Sequence, residues 1–165
     1  MDNAFQWIMG KDDARGGLCR ESTFPYMSGG GSTESCSAST SCHEVVNIKD
    51  YHDVAKNELA LQKAVAKTPV AIAVAVDEWT GHFQHYKSGV LSDCGEKYNR
   101  LNHGVLAAGY GTDYVFGDYW LVKNSWGRTW GEEGYIRIKR TANATDDGLC
   151  HLAHAASYAI GLSAQ

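Results

Sequence analysis

Leu101-Asn102-His103-Gly104-Val105-Leu106-Ala107-Ala108-Gly109-Tyr110-Gly111 and Tyr119-Trp120-Leu121-Val122-Lys123-Asn124-Ser125-Trp126-Gly127 are the two stretches on which the reading of this chain turns. Each joins a polar residue to an apolar run of strand length. His103 opens the run that continues to Gly111, and Asn124 follows the run Tyr119–Lys123. Short apolar and aromatic runs bounded by Gly and polar residues read as strands. If the two strands are antiparallel neighbours, the start of the first meets the end of the second, and His103 meets Asn124. An amide oxygen accepts a ring N–H without adding charge, which suits Asn124 to orienting an imidazole. Trp126 is placed to cover that hydrogen bond and keep water out.

Outward from these stretches, Val70–Val76 (VAIAVAV) and Gly134–Lys139 (GYIRIK) predict further strands, and residues 155–161 a last edge strand. Residues 44–49 (EVVNIK) predict a strand before them. Asp53 to Lys67 predicts a helix with Leu59, Ala60, Ala64 and Val65 on one face and Pro69 closing it. Residues 2–9 predict a short helix burying Phe5, Ile8 and Trp7. From Gly10 to Cys42 the chain is rich in Gly, Ser, Thr and Asp, which predicts a long surface loop needing covalent staples. A helical and loop-rich first part followed by a mostly antiparallel β part is an α+β chain.

Composition narrows the function. With 44% hydrophobic and 21% charged residues the chain reads as an ordinary globular one. No apolar run approaches the roughly 18 residues of a membrane span, so no membrane partner is expected. Net charge is −4 with scattered Lys and Arg, which gives no footprint for nucleic acid. The N-terminal MDNAFQWIMGKDDARGG lacks the basic and apolar regions of a signal peptide. Cys19, Cys36, Cys42, Cys94 and Cys150 form no CxxC pair, so disulfides fit better than zinc and point to an oxidising compartment. Five is odd: one thiol is free or its partner lies outside the chain. Cys42-His43 and Cys150-His151 with His154 lack a second matched pair at zinc spacing, and His82 and His85 read as surface histidines, so no metal is expected. Asn143-Ala144-Thr145 is a candidate glycosylation sequon.

The two quoted stretches resemble the histidine and asparagine motifs of papain-like cysteine peptidases, and Trp130-Gly131-Glu132-Glu133-Gly134-Tyr135 is similar to their continuation. The resemblance runs from Met1-Asp2-Asn3-Ala4-Phe5 through Phe24-Pro25-Tyr26 to Ala156-Ser157-Tyr158 and is closest to the cathepsin L-like branch. It implies a two-lobe fold, here truncated, with residues 1–50 the remainder of a helical and loop lobe and 51–165 mainly the β lobe. It implies a cysteine-type endopeptidase with His103 and Asn124 as catalytic residues, Trp126 as their shield, and no cofactor. Its substrate pocket would be walled by Met1, Ala73 (or Ala75, with the AIAVAV run slid by two), Leu101, Gly104 and Ala155. All five are apolar, so an intact enzyme would favour apolar or aromatic side chains over Arg there. The resemblance implies a Cys94–Cys150 disulfide, whose loop of more than 50 residues would stabilise by roughly 4 kcal/mol. It gives Cys36 a partner upstream, and leaves Cys19 with Cys42. It also implies peptide or protein substrates, a propeptide or protein inhibitor as further partners, a monomer if complete, and a lysosomal, vacuolar or extracellular site.

One departure matters. The family's Cys-Gly-Ser/Ala-Cys-Trp/Tyr motif is absent, and its usual spacing from the histidine puts the nucleophile roughly 30–50 residues before Met1. The helix that carries it and the oxyanion-hole glutamine are absent too. The chain alone is therefore expected to be inactive, and poorly stable with the face under that helix exposed. Three readings follow: a fragment of a working endopeptidase, a non-catalytic homologue that binds peptides or proteins, and a disulfide-rich structural module with no peptide site. The last fails if His103 and Asn124 touch.

Overall fold

The computed structural model describes residues 1–10, 17–31, 46–76, 81–95 and 100–164. The fold is α+β, with few helices and a mostly antiparallel sheet. The chain divides into two compact units, one of Met1 with Asp53–Tyr158 and one of Asp2–His52 with Ala159–Gln165.

The larger unit is built on strands β3 (Val70–Val74), β4 (Val90–Leu91), β5 (His103–Asp113), β6 (Gly117–Lys123) and β7 (Tyr135–Lys139), with helix α2 (Glu58–Val65). With β2 (Asp50–Asp53) and β8 (Ala156–Ile160) the sheet order is β2-β8-β3-β5-β6-β7-β4. All these pairings are antiparallel where β3, β5, β6, β7 and β8 meet, and β4 joins β7 in parallel. Period-two burial explains the core. Val70, Ile72 and Val74 of β3 are buried while Ala71 and Ala73 are half-buried. Trp120, Val122, Ile136 and Ile138 continue that buried layer across β6 and β7. Strand β5 runs past its expected end at Gly111 to Asp113, with a register shift between Ala107 and Gly109.

Three expectations are corrected here. The helix starts at Glu58 rather than Asp53, because Asp50–Asp53 is already strand and Asn57 caps the helix by accepting from Ala60 N at 2.8 Å. Its buried face is Glu58, Leu61, Ala64 and Val65; Leu59 is exposed and Ala60 half-buried. The cause is a buried carboxylate. Glu58 accepts from Trp120 Nε1 at 2.8 Å and Thr141 N at 2.9 Å, and also from Thr141 Oγ1. That hydrogen-bonded set holds a polar side chain on the inward face, and Leu59 is turned out. Finally, β8 is not an edge strand, since β2 lies beyond it in the sheet order.

In the smaller unit, helix α1 (Asp2–Ile8) stacks Phe5 on Tyr51 with ring centroids 5.5 Å apart. Phe5 and Ile8 are half-buried; Trp7, expected inside, is exposed. Strand β1 (Val46–Asn47) pairs antiparallel with β9 (Ser163–Ala164), and Leu18 bridges Val46. Of the expected long loop from Gly10 to Cys42, residues 11–16 and 32–42 lie outside the described residues.

Candidate active site

His103 is the first residue of β5, opposite Val74 of β3. Asn124 follows the last residue of β6, and its N–H donates to Gly134 O at 2.9 Å. The antiparallel β5–β6 pairing brings them together: His103 Nε2 and Asn124 Oδ1 are 2.8 Å apart. Asn124 is buried. Its Oδ1 also accepts from Ser125 N at 2.8 Å. A backbone N–H can only donate, so the atom facing it is oxygen rather than amide nitrogen. His103 Nε2 must then be the donor, and the neutral ring carries its proton there. Nδ1 is left with a lone pair, able to take a proton. Trp126 lies over the imidazole, centroids 4.9 Å apart and planes 29° apart.

Phe83 was invisible to sequence reasoning. It is fully buried, meets His103 edge-on at 5.9 Å and Trp126 at 5.7 Å, and stacks on Trp130 at 5.4 Å. Trp130 in turn donates from Nε1 to Gln84 O at 2.9 Å. The tryptophans sit in a recognisable motif, but Phe83 stands in GHFQHY, which has no periodicity to single it out.

Four of the five expected pocket residues adjoin one another. Ala73 and Gly104 are register partners, and Ala73 N donates to Ala155 O at 3.0 Å. A Cβ on Gly104 would lie 3.2 Å from Met1 Cε. Leu101, half-buried, lies two residues before His103. A concavity of about 360 Å³ takes in Met1 and Gly104 together with Lys123, Asn124 and Ser125, but not Ala73, Leu101 or Ala155. Lys123 is a cation beside Asn124 that the sequence reading passed over.

Cys94 and Cys150 are disulfide-bonded, with Cα atoms 5.4 Å apart. Cys19 is also disulfide-bonded; Cys36 and Cys42, and with them the Cys19–Cys42 pairing, lie outside the described residues. His151 and His154 both place Nδ1 on Asp147, at 3.1 and 2.8 Å. Burial works to raise the Asp147 pKa, and the hydrogen bonds from His154 and His151 overcome it and hold the carboxyl below its ordinary value. His82 lies 3.4 Å from Asp93, and the His85 ring packs against Gly81. Asn143 is exposed.

His103 and Asn124 thus form a hydrogen-bonded pair where β5 begins and β6 ends, with Trp126 stacked on the imidazole. The family described as "Papain family cysteine protease" matches residues 1–160, and the chain belongs to it. It is 44% identical over 166 residues to "Germination-specific cysteine protease 1" of Arabidopsis thaliana, covering 99% of this chain and 40% of that protein. It is 46% identical over 162 residues to "Cysteine endopeptidase RepA" of Oryza sativa subsp. japonica, covering 97% of this chain and 40% of that one. The chain thus spans about 40% of the length of these curated relatives, their C-terminal part. Among solved structures, the bromelain protease of Ananas comosus in complex with the E64 inhibitor superposes with a TM-score of 0.80 at 34% identity, over 96% of this chain and 68% of that one. The ragweed pollen allergen Amb a 11 cysteine protease, solved in its proform, gives a TM-score of 0.78 at 36% identity, over 97% of this chain and 46% of that one.

Proposed function

We propose that this chain supplies the histidine and asparagine of a Cys-His-Asn endopeptidase site whose cysteine lies outside it. The observation that carries this reading is the His103 Nε2–Asn124 Oδ1 hydrogen bond of 2.8 Å under Trp126. His103 Nδ1 takes the proton of the incoming thiol, making a thiolate–imidazolium pair. The thiolate attacks the peptide carbonyl carbon; the imidazolium returns the proton to the amine as the C–N bond breaks. Water, deprotonated by His103, then cleaves the thioester and the thiol leaves as product acid forms. Asn124 keeps the ring turned so that Nδ1 faces the reaction throughout. Met1, Ala73, Leu101, Gly104 and Ala155 would form the apolar pocket that selects apolar or aromatic side chains. A propeptide or an inhibitor would occupy the same cleft, by analogy with the proform and the E64 complex of the relatives.

The test is peptide hydrolysis by the full-length protein. His103→Ala should abolish turnover and labelling by the E64 inhibitor, and the 165-residue chain alone should hydrolyse nothing. Turnover undiminished by His103→Ala overturns the reading. A second reading, a non-catalytic homologue that binds peptides, draws on one observation: Cys19, Cys94 and Cys150 are all disulfide-bonded, so no described cysteine offers a thiol. The upstream coding sequence separates the two. An in-frame Cys-Gly-Ser-Cys-Trp-like motif favours the enzyme, and a stop codon favours the binding module. The oxidised cysteines also favour passage through the secretory route to a vacuole or the exterior.

A further inference from the structure

We propose that Asn143 carries an N-linked oligosaccharide, placed so that it leaves the candidate active site open. This rests on the secretory reading above and on three observations about the loop after β7.

The first is access. Asn143, Ala144, Thr145 and Asp146 are all exposed. The second is the shape of the sequon. Asn143 Oδ1 accepts from Thr145 N at 2.9 Å and from Thr145 Oγ1 at 2.8 Å. The hydroxyl and the amide that glycosylation requires together are therefore already in contact. The third is what happens to the amide nitrogen. Asn143 Nδ2 donates to Asp146 Oδ2 at 2.8 Å. An amide NH₂ has two hydrogens, and glycosylation replaces one. The other can keep the bond to Asp146, so the folded loop accepts the modification without losing a contact.

The loop is also held from below. Leu59 N donates to Asn143 O, Glu58 N to Asp146 O, and Thr141 N to the buried Glu58 carboxylate. A sugar on Asn143 would thus stand on a fixed base. The register says where. Lys123, beside Asn124, pairs with Tyr135 at one end of β7, whereas Lys139 at the other end pairs with Tyr119. Asn143 lies beyond Lys139. Four residue steps separate the two ends, roughly 13 Å along the strand, so the sugar leaves from the opposite end of the sheet.

The donor would be a lipid-pyrophosphate-linked oligosaccharide. Asn143 Nδ2 forms a bond to the anomeric carbon of the first sugar, and the bond from that carbon to the pyrophosphate oxygen breaks. The lipid pyrophosphate departs with the bonding electrons, and one amide proton is lost to a base of the transferase. Nothing is oxidised or reduced.

To test this, the full-length protein is produced through the secretory pathway of plant or insect cells, and the tryptic peptide beginning at Thr141 is weighed. A glycopeptide is expected, converted by peptide N-glycosidase in heavy-oxygen water to one with a labelled aspartate at position 143. Asn143→Gln and Thr145→Ala should lose the sugar; Thr145→Ser, which keeps the hydroxyl, should retain it. Peptide hydrolysis by the secreted protein should be the same before and after sugar removal. An unmodified Asn143 in protein whose Cys94–Cys150 disulfide is intact overturns the site. Reduced Cys94 and Cys150 in protein taken from its native source overturn the secretory reading on which it rests. A fall in activity that is reversed on removing the sugar overturns the placement.

Discussion

At the scale of the residue, the Ser125 amide does more than its size suggests. By donating to Asn124 Oδ1 it fixes which way the side-chain amide faces, and through it which nitrogen of His103 holds the proton. That orientation leaves Asn124 Nδ2 buried with no partner among the described residues, a cost of about 1–3 kcal/mol offset by two hydrogen bonds to the oxygen. Reversing the amide would set NH₂ against two donors. In the full-length protein Asn124→Ala should therefore free the ring and lower kcat roughly 10- to 100-fold with a smaller change in KM. An unchanged kcat would show that Trp126 alone holds the imidazole. His103, Asn124 and Trp126 were legible in the sequence because strand period and motif order place them. Phe83 was not, because its partners come from distant stretches and only packing selects it.

At the scale of the element, two hydrogen-bonded side-chain clusters brace the sheet, one at Trp120 of β6 and one at Arg137 of β7. Glu58 turns α2 so that a carboxylate, not Leu59, faces Trp120. Glu58→Ala would leave the Trp120 N–H and two Thr141 donors unpaired in the interior, and should lower unfolding free energy by about 3 kcal/mol or more, read as a shift in urea midpoint. The other cluster is on β7. Arg137 donates to both oxygens of Glu132, at 2.9 and 2.8 Å, and to Asp113 at 2.5 Å. The hydrogen bond from Arg137 holds the Glu132 carboxyl below its ordinary value against the effect of burial. Asp113 is lowered first by the Phe116 and Val115 amides and then by Arg137. A carboxyl depressed on folding adds stability above its unfolded pKa and loses that stability as pH falls through its folded one. Melting temperature should therefore fall as pH drops below about 4.5, and Glu132→Gln should flatten that part of the profile. A profile as steep in the variant would assign the acid sensitivity to other carboxylates. The alternation of VAIAV made β3 readable, whereas β2, β4 and β9 were not, because two to four residues carry too little pattern to register.

At the scale of the whole molecule, the Cys94–Cys150 bond closes a separation of 56 residues and ties the chain after β4 to the turn before β8. Closing a loop of that length removes disorder from the unfolded chain worth roughly 4 kcal/mol. The double variant Cys94→Ala/Cys150→Ala should lose about that much in denaturant titration, and a loss below 1 kcal/mol would mean that the unfolded chain is already compact here. Cys150 and the following His151 adopt left-handed backbone, at φ 56° and 54°, just ahead of Ala155. Ala75 N donates to Cys150 O at 2.9 Å, so the disulfide steadies the turn that carries the chain toward the Ala73–Ala155 contact.

What the sequence by itself determined is the α+β class, the family, and the meeting of His103 with Asn124. Strand periodicity and the order of two long motifs are local properties, and an antiparallel pair converts them directly into a contact. What only the tertiary structure decided is the face of α2, the interior place of β8, the Phe83 support beneath the tryptophans, and the proton's position on Nε2. Each depends on partners far apart in the chain: a buried carboxylate with Trp120 and Thr141, a strand laid outside β8, rings brought together from separate loops, and one backbone amide turned toward one oxygen.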